Sequence, residues 1–277
     1  MSERADTIFE CIQASLRQGQ AVALATVVKA QGSVPRHVGA KMLIYPDGST
    51  VGTIGGAEME RRAIEEAQEA LAEGKPRLTN YVFGGKEPES VGLCGGQVEV
   101  FIDVIQPDPR LLIIGSGHIA QPLAVLGRMM GLQVIVVDDR PDYATPERFP
   151  DADQIVVDEV EEAVAKVGVT PSTYVVIATY GYDDRALKAV VNSPAAYIGL
   201  VASWRKFSVI AHDLQQEGVS QEALARVHSP TGLDLKGETP AEIALSIMAE
   251  ITMLRHGGTG GSLWAKYGPQ GRVMAQE

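Results

Sequence analysis

The sequence is poor in sulfur chemistry. Its two cysteines, Cys11 and Cys94, among 277 residues are too few for a disulfide scaffold and suit a reducing compartment. Basic charge is also scarce: 24 lysines and arginines face 35 acidic residues, a formal net charge of -11. Nucleic acid and anionic membranes need a positive surface, so neither is an expected partner. No apolar run reaches the roughly 18 residues that a bilayer span requires. The first ten residues are polar and acidic, so no signal peptide is expected and the expected location is the cytoplasm. There is no Walker loop, no Gly-x-Ser-x-Gly elbow and no internal repeat. The five histidines are scattered, and neither cysteine has a second cysteine or a histidine at metal-ligand spacing. Against these absences stand 45% hydrophobic and 21% charged residues, enough for a globular chain with a real core.

Hydrophobic periodicity divides the chain. Ile8, Phe9, Ile12 and Leu16 recur at helical spacing, and the apolar run 21–28 reads as a buried strand. Runs 42–45 and 50–54 flank Pro46-Asp47-Gly48-Ser49, a hairpin signature. A helix over 57–73 stops at Gly74, and strands follow at 82–83 and 98–105. This is an α+β pattern. Pro107-Asp108-Pro109 breaks it. Beyond that point short apolar runs at 111–114, 134–137, 155–157, 174–178 and 197–201 alternate with helical stretches, which implies a parallel sheet. Thr239-Pro240-Ala241-Glu242 opens a last helix with a capping box. The expected fold is therefore α/β: an N-terminal α+β domain over 1–107, a Rossmann-type parallel sheet with helices on both faces over 108–256, and a Gly-rich tail over 257–277. The tail is expected to be mobile or to order against a partner. Trp204 and Trp264 read either as a partner surface or as packing residues.

Gly115-Ser116-Gly117-His118-Ile119-Ala120 lies between an apolar strand and a helix, the context that a dinucleotide loop needs. Gly115 permits the tight turn, Gly117 lets a pyrophosphate reach the backbone, and Ala120 lets helix and strand pack closely. The N–H groups at the helix start then face the anion, and His118 could donate to it. Asp138, at the end of the next strand, is placed for a ribose 2′-hydroxyl, which favours NAD. Arg140 could instead attract a phosphate.

Three further Gly-bearing segments lie in the first hundred residues: Gly32–Lys41, Gly52–Glu60 and Gly92–Gly96. A Gly55-Gly56 pair at a helix start can bind an anion by the same physics as a phosphate loop. Arg36 and Lys41 would add positive donors. Cys94, beside Gly95 and Gly96, is sterically open. It reads either as a thiolate ready for a soft ligand or as a small buried apolar residue.

Taken together, these segments resemble the XdhC/CoxI family, accessory factors for xanthine dehydrogenase and related molybdenum hydroxylases. Gly32–Lys41, Gly52–Glu60, Cys94-Gly95-Gly96, Gly115–Ala120, Asp138-Asp139-Arg140, Tyr197–Leu200 and the stretch from Gly232-Leu233-Asp234 to Ala249-Glu250 all carry the likeness, in order along the chain. Two positions depart from it: Glu58 stands where the family often has cysteine, and Tyr180 where it often has histidine. The resemblance implies a chaperone that binds the molybdenum cofactor (molybdopterin or its dinucleotide form), supports its sulfuration and hands it to an apo molybdenum hydroxylase. Arg36, Lys41, Gly55, Gly56, Glu60, Cys94, Gly95 and Gly96 would hold the polar head, with Cys94 a contact to molybdenum or its sulfur. Gly115, Gly117, His118, Ala120 and Asp138 would hold a nucleotide portion or a separate NAD(P). A cysteine desulfurase and a second copy of the chain are further expected partners. The alternatives are an NAD(P)-dependent oxidoreductase, with His118 and Tyr182 its weak acid–base candidates, and an NAD(H)-sensing regulator.

Overall fold

A computed structural model describes residues 2–83 and 95–268. The chain divides into two compact units, Met1–Asp108 and Pro109–Glu277. In the first, helix α1 (Ser2–Arg17) leads into strand β1 (Val22–Gln31) and the hairpin β2 (Lys41–Ile44) and β3 (Thr50–Gly52). Helix α2 (Ala57–Glu73) and strands β4 (Arg77–Val82) and β5 (Gln97–Ile105) follow. The five strands form an antiparallel sheet in the order β3-β2-β1-β5-β4. Alternation along β1 explains how both helices are used. Ala23, Ala25 and Val27 pack with Met59, Ala63, Ala67 and Ala70 of α2, while Val22 packs with Ile8 and Ile12 of α1. Gly74 closes α2 in the left-handed conformation, with its N–H on the last carbonyls.

The second unit alternates strands and helices. Strands β6 (Arg110–Ile114), β7 (Gln133–Asp138), β8 (Gln154–Val157), β9 (Thr173–Ile177), β10 (Tyr197–Leu200) and β11 (Val227–His228) form a parallel sheet, ordered β11-β10-β9-β6-β7-β8. Counted within the unit this is the 3-2-1-4-5-6 order of dinucleotide-binding folds. Helices α3 (Ala120–Met129) and α8 (Pro240–His256) cover one face; α4 (Val160–Val167), α5 (Asp183–Val190), α6 (Trp204–Gln216) and α7 (Gln221–Ala225) cover the other. The division follows residue parity along β6. Leu111 and Ile113 join the α3–α8 core, Leu112 and Ile114 the opposite one. Thr239 and Glu242 make the expected reciprocal capping box at α8.

Three details differ from the sequence expectation, the first being that the strand expected at 82–83 is β4, Arg77–Val82, with Phe83 outside it. The short strand β11 has too few residues for a periodic signal. The described part of the Gly-rich stretch contains a short helix, α9 (Leu263–Tyr267), and with α3 and α8 it encloses an apolar pocket of about 770 Å³. Trp204 and Trp264 are both exposed. Among the described residues no helix is long and apolar enough to cross a membrane.

Candidate functional site

Strand order reverses at β6, which separates β9 on one side from β7 on the other. In open α/β sheets ligands bind beyond the carboxyl ends of the strands at such a point. Gly115 leaves β6 there with φ +106°, and a Cβ on it would lie 2.7 Å from the Ala178 carbonyl carbon, just past the end of β9. Only glycine fits that conformation and that approach.

The loop is pinned from below. The Ser116 N–H and hydroxyl both donate to Asp138 Oδ2, each at 2.7 Å. From the other side Arg140 donates its backbone N–H and Nε to Asp138 Oδ1, at 3.0 and 2.8 Å, and Nη2 to Oδ2 at 2.8 Å. Burial alone would raise the pKa of Asp138, but these bonds outweigh it and hold the carboxyl well below its ordinary value. Asp138 was expected to meet a ribose hydroxyl. In the structure its side chain is fully buried and its lone pairs are spent on Ser116 and Arg140. It serves the ligand site by fixing the loop that would receive the ligand.

With Ser116 fixed, the next three backbone N–H groups, those of Gly117, His118 and Ile119, have no partner among the described residues. Ile119 offers no side-chain cap to α3, so the helix start is open. A side chain at Gly117 would meet only the Ala178 carbonyl oxygen, at 3.9 Å, which leaves room for a ligand to approach the backbone. Ala120 is fully buried against the strand, as its small size requires. Free backbone donors at an open helix start are the kind of group that binds a phosphate or pyrophosphate. His118 is exposed beside them.

Further charged and hydroxyl groups lie past the end of β9 and on α5 and α6. Thr179 donates to the buried Asp183 at 2.5 Å, and Lys206 of α6 pairs with the same carboxylate. Burial, together with the charges of Asp138 and Asp139, pushes the Tyr182 hydroxyl pKa up, so this group stays protonated. That makes Tyr182 a poor general base. Tyr180 is fully presented to solvent, 92% exposed.

In the first unit the described parts of the three Gly-bearing segments meet. A Cβ on Gly96 would fall 2.7 Å from the Gln31 carbonyl oxygen, and one on Gly32 would lie 3.1 Å from Gly96 Cα. One on Gly55 would strike Pro35 at 2.8 Å. The segment 31–35 is thus clasped between the other two. Lys41 donates to Thr26 at 3.4 Å, and Arg36 is exposed. The Gly55-Gly56 helix start differs from the expected anion seat. Glu60 reaches back to accept from the Gly55 N–H at 3.3 Å and from the Thr53 hydroxyl. The protein's own carboxylate therefore lies where an incoming anion would have to compete. Glu58, in the family's cysteine position, pairs with Arg61 and Arg62, which lower its pKa to about 2. Cys94, the expected soft ligand, lies outside the described residues. Among the described residues no group of three or more His, Cys, Asp or Glu is placed to hold a metal ion.

Three long-range contacts escaped sequence reasoning: Ser116 with Asp138, 22 residues apart, Thr179–Asp183 with Lys206, and Glu250 of α8. Glu250 accepts from Tyr197 Oη at 2.5 Å and from the Gly232 N–H at 2.8 Å, with His228 Nδ1 at 3.1 Å. It ties the Tyr197 strand to the Gly232 turn, two segments whose family likeness carries no visible reason in sequence.

The second unit is thus a dinucleotide-type fold whose Gly115–Ala120 loop is fixed by Asp138. Residues 111–251 match the XdhC Rossmann domain and residues 15–82 match the XdhC and CoxI family. The chain belongs to that family. It is 39% identical to the uncharacterized protein YqeB of Escherichia coli K12 over 91% of this chain and 47% of that one. It is 34% identical to a probable xanthine dehydrogenase component of Bacillus subtilis 168 over 56% of this chain and 46% of that one. The chain spans about half the length of these two relatives. The molybdenum cofactor insertion chaperone PaoD of E. coli K12 is 23% identical over 90% of this chain and 88% of its own.

Proposed function

We propose that this protein binds the molybdenum cofactor and delivers it to a molybdenum hydroxylase of the xanthine dehydrogenase type. The observation that carries the proposal is the trio of free N–H groups at Gly117, His118 and Ile119, held at the switch point by the Asp138 staple. Family membership and the likeness to a cofactor-insertion chaperone support the same reading. Gly115, Gly117 and Ala120 shape the seat for a pyrophosphate, and His118 stands ready to donate to it. That seat takes either the cofactor's nucleotide portion or a separate NAD(P). The clasped segments of the first unit, with Arg36, Lys41, Gly95 and Gly96, would hold the cofactor's polar head, with Glu60 and the Gly55-Gly56 turn it closes serving as their support, and Cys94 follows from its place in sequence beside Gly95. Sulfuration on this protein, sulfur supply by a cysteine desulfurase, a homodimer and a cytoplasmic setting belong to the same proposal. When bound, the cofactor would bring the molybdenum and its sulfur ligands; this chain's residues bind, orient and shield it.

The test is retention. Purified protein is incubated with molybdenum cofactor in reducing, oxygen-free buffer, desalted, and assayed for bound molybdenum. Retention by the wild type that falls in Arg36→Ala and in Cys94→Ala is the expected result. Absence of retention in the wild type overturns the proposal; equal retention in Cys94→Ala removes Cys94 from it.

A further inference from the structure

We infer that the rim of the Gly115–Ala120 loop is built for a second phosphate, so that the dinucleotide seated there carries a 2′-phosphate on its ribose, NADP rather than NAD. The inference rests on that loop being a dinucleotide seat.

An NAD-type pocket needs a free carboxylate at the end of the second strand to accept from the ribose hydroxyls. Here that carboxylate is Asp138, and Ser116 and Arg140 already saturate it. Two cationic groups remain available beside it, together with the exposed carboxylate of Asp139. Arg140 uses Nε and Nη2 on Asp138, and its Nη1 has no acceptor among the described residues. The other nearby carboxylate, Asp139, approaches Arg140 Nε no closer than 4.0 Å. Arg148 has no carboxylate partner at all among the described residues. It donates to the Ser116 carbonyl oxygen at 3.2 Å, and to the Gln121 side-chain oxygen at 3.2 Å with that amide turned to suit. Arg148 is therefore an uncompensated positive charge bonded directly to the dinucleotide loop.

The two arginines share a platform. The guanidinium carbons of Arg140 and Arg148 lie 4.3 and 4.8 Å from the centroid of the Tyr143 ring. They are therefore separated by no more than the sum of those distances. Cation–π attraction holds each of them on the ring, and Arg148, unlike Arg140, has no carboxylate among the described residues to offset its charge, so an added anion at this rim is attracted. The segment that carries them is anchored. Ala144 and Phe149 are buried, Phe149 in the α3–α8 core, and Tyr143, Ala144, Arg148 and Phe149 close hydrogen-bonded turns on Arg140 and Thr145. Arginine forks at a fixed site suit a phosphomonoester, which presents several oxygens at once.

The experiment is a set of calorimetric titrations of the full chain with NADP+, NAD+, 2′,5′-ADP and 5′-AMP at low and at moderate salt. The 2′-phosphorylated member of each pair should bind more tightly by roughly ten- to a hundredfold, the worth of one charge-assisted hydrogen bond, and the preference should shrink as salt rises. Because Arg148 also holds the Ser116 carbonyl, the readout is the ratio of NADP+ to NAD+ affinity: Arg148→Gln should bring that ratio close to one, and Arg148→Lys should restore part of it; circular dichroism and melting confirm that both variants are folded. Equal affinity for the pairs, tighter NAD+, or a wild-type NADP+ to NAD+ ratio retained in Arg148→Gln overturns the inference. So does absence of dinucleotide binding, and in that case the molybdenum retention assay still reads the cofactor proposal by itself.

Discussion

Replacing Asp138 by asparagine tests the staple beneath the loop. The wild-type carboxylate accepts two bonds from Ser116 and three from Arg140. Asparagine keeps one acceptor oxygen and turns an NH2 toward donors, so part of the set is lost and one contact becomes repulsive. Net hydrogen bonds to a charged group are worth about 1.5–3 kcal/mol each but are not additive. Arg140 is 38% exposed, and water re-solvates it in part. The expected loss is therefore about 3 kcal/mol, at the low end of what breaking a buried pair costs. For a unit of this size that lowers its melting temperature by about 6–12 °C, measurable by calorimetry or urea titration. The pH dependence has a definite sign. Burial would raise the carboxyl pKa, yet the bonds from Arg140 and Ser116 hold the folded value below the ordinary value of about 3.9. The stabilisation is thus complete above about pH 4 and fades as pH falls toward the folded value. The gap between wild type and Asp138→Asn should be constant near neutrality and narrow in acid. A variant within about 0.5 kcal/mol of wild type at pH 7, the usual range of an inert surface change, would refute the staple.

Gly115→Ala should be equally damaging for a different reason. The left-handed φ costs about 1–2 kcal/mol. The new Cβ also presses on the Ala178 carbonyl, which is held in place because the Ala178 N–H donates to the Ile114 carbonyl at 2.8 Å; such overpacking adds about 1–3 kcal/mol. Urea titration should show the sum, and wild-type stability would mean that the close approach of β6 and β9 is wrong. Thr239→Ala removes the α8 cap and should cost about 1 kcal/mol without changing ligand affinity. A change in dinucleotide affinity in this variant would contradict a purely local role for the cap.

Much of the architecture could be read in the chain because it rests on local periodicity. The strand–Gly-x-Gly–helix succession, the hairpin at Pro46–Ser49, the helix ending at Gly74 and the capping box at Thr239 each depend on residues within a few positions of one another. The site was legible only in outline. Gly115, Gly117 and Ala120 announce a loop, but the partner of Asp138 is a serine 22 residues earlier, and its spacing carries no periodic signal. The same holds for Arg148 on the Ser116 carbonyl, 32 residues away. Glu60 could be read as a ligand contact, and the fold instead uses it to satisfy Gly55. Which groups are already spent is a property of three-dimensional neighbours.

The order of residues was enough to establish an α+β unit, a parallel dinucleotide-type unit and the family, because strand, turn and helix preferences and motif order are local facts. Folding in three dimensions was needed to establish that strand order reverses at the Gly115 loop and that Asp138 is a buried staple. It was needed, too, to show that Gly117, His118 and Ile119 keep free donors while Arg148 keeps a free charge. The physical reason is that a hydrogen bond or an ion pair consumes capacity. Whether a carboxylate or an N–H remains for a ligand depends on which distant residue folding has brought to it first.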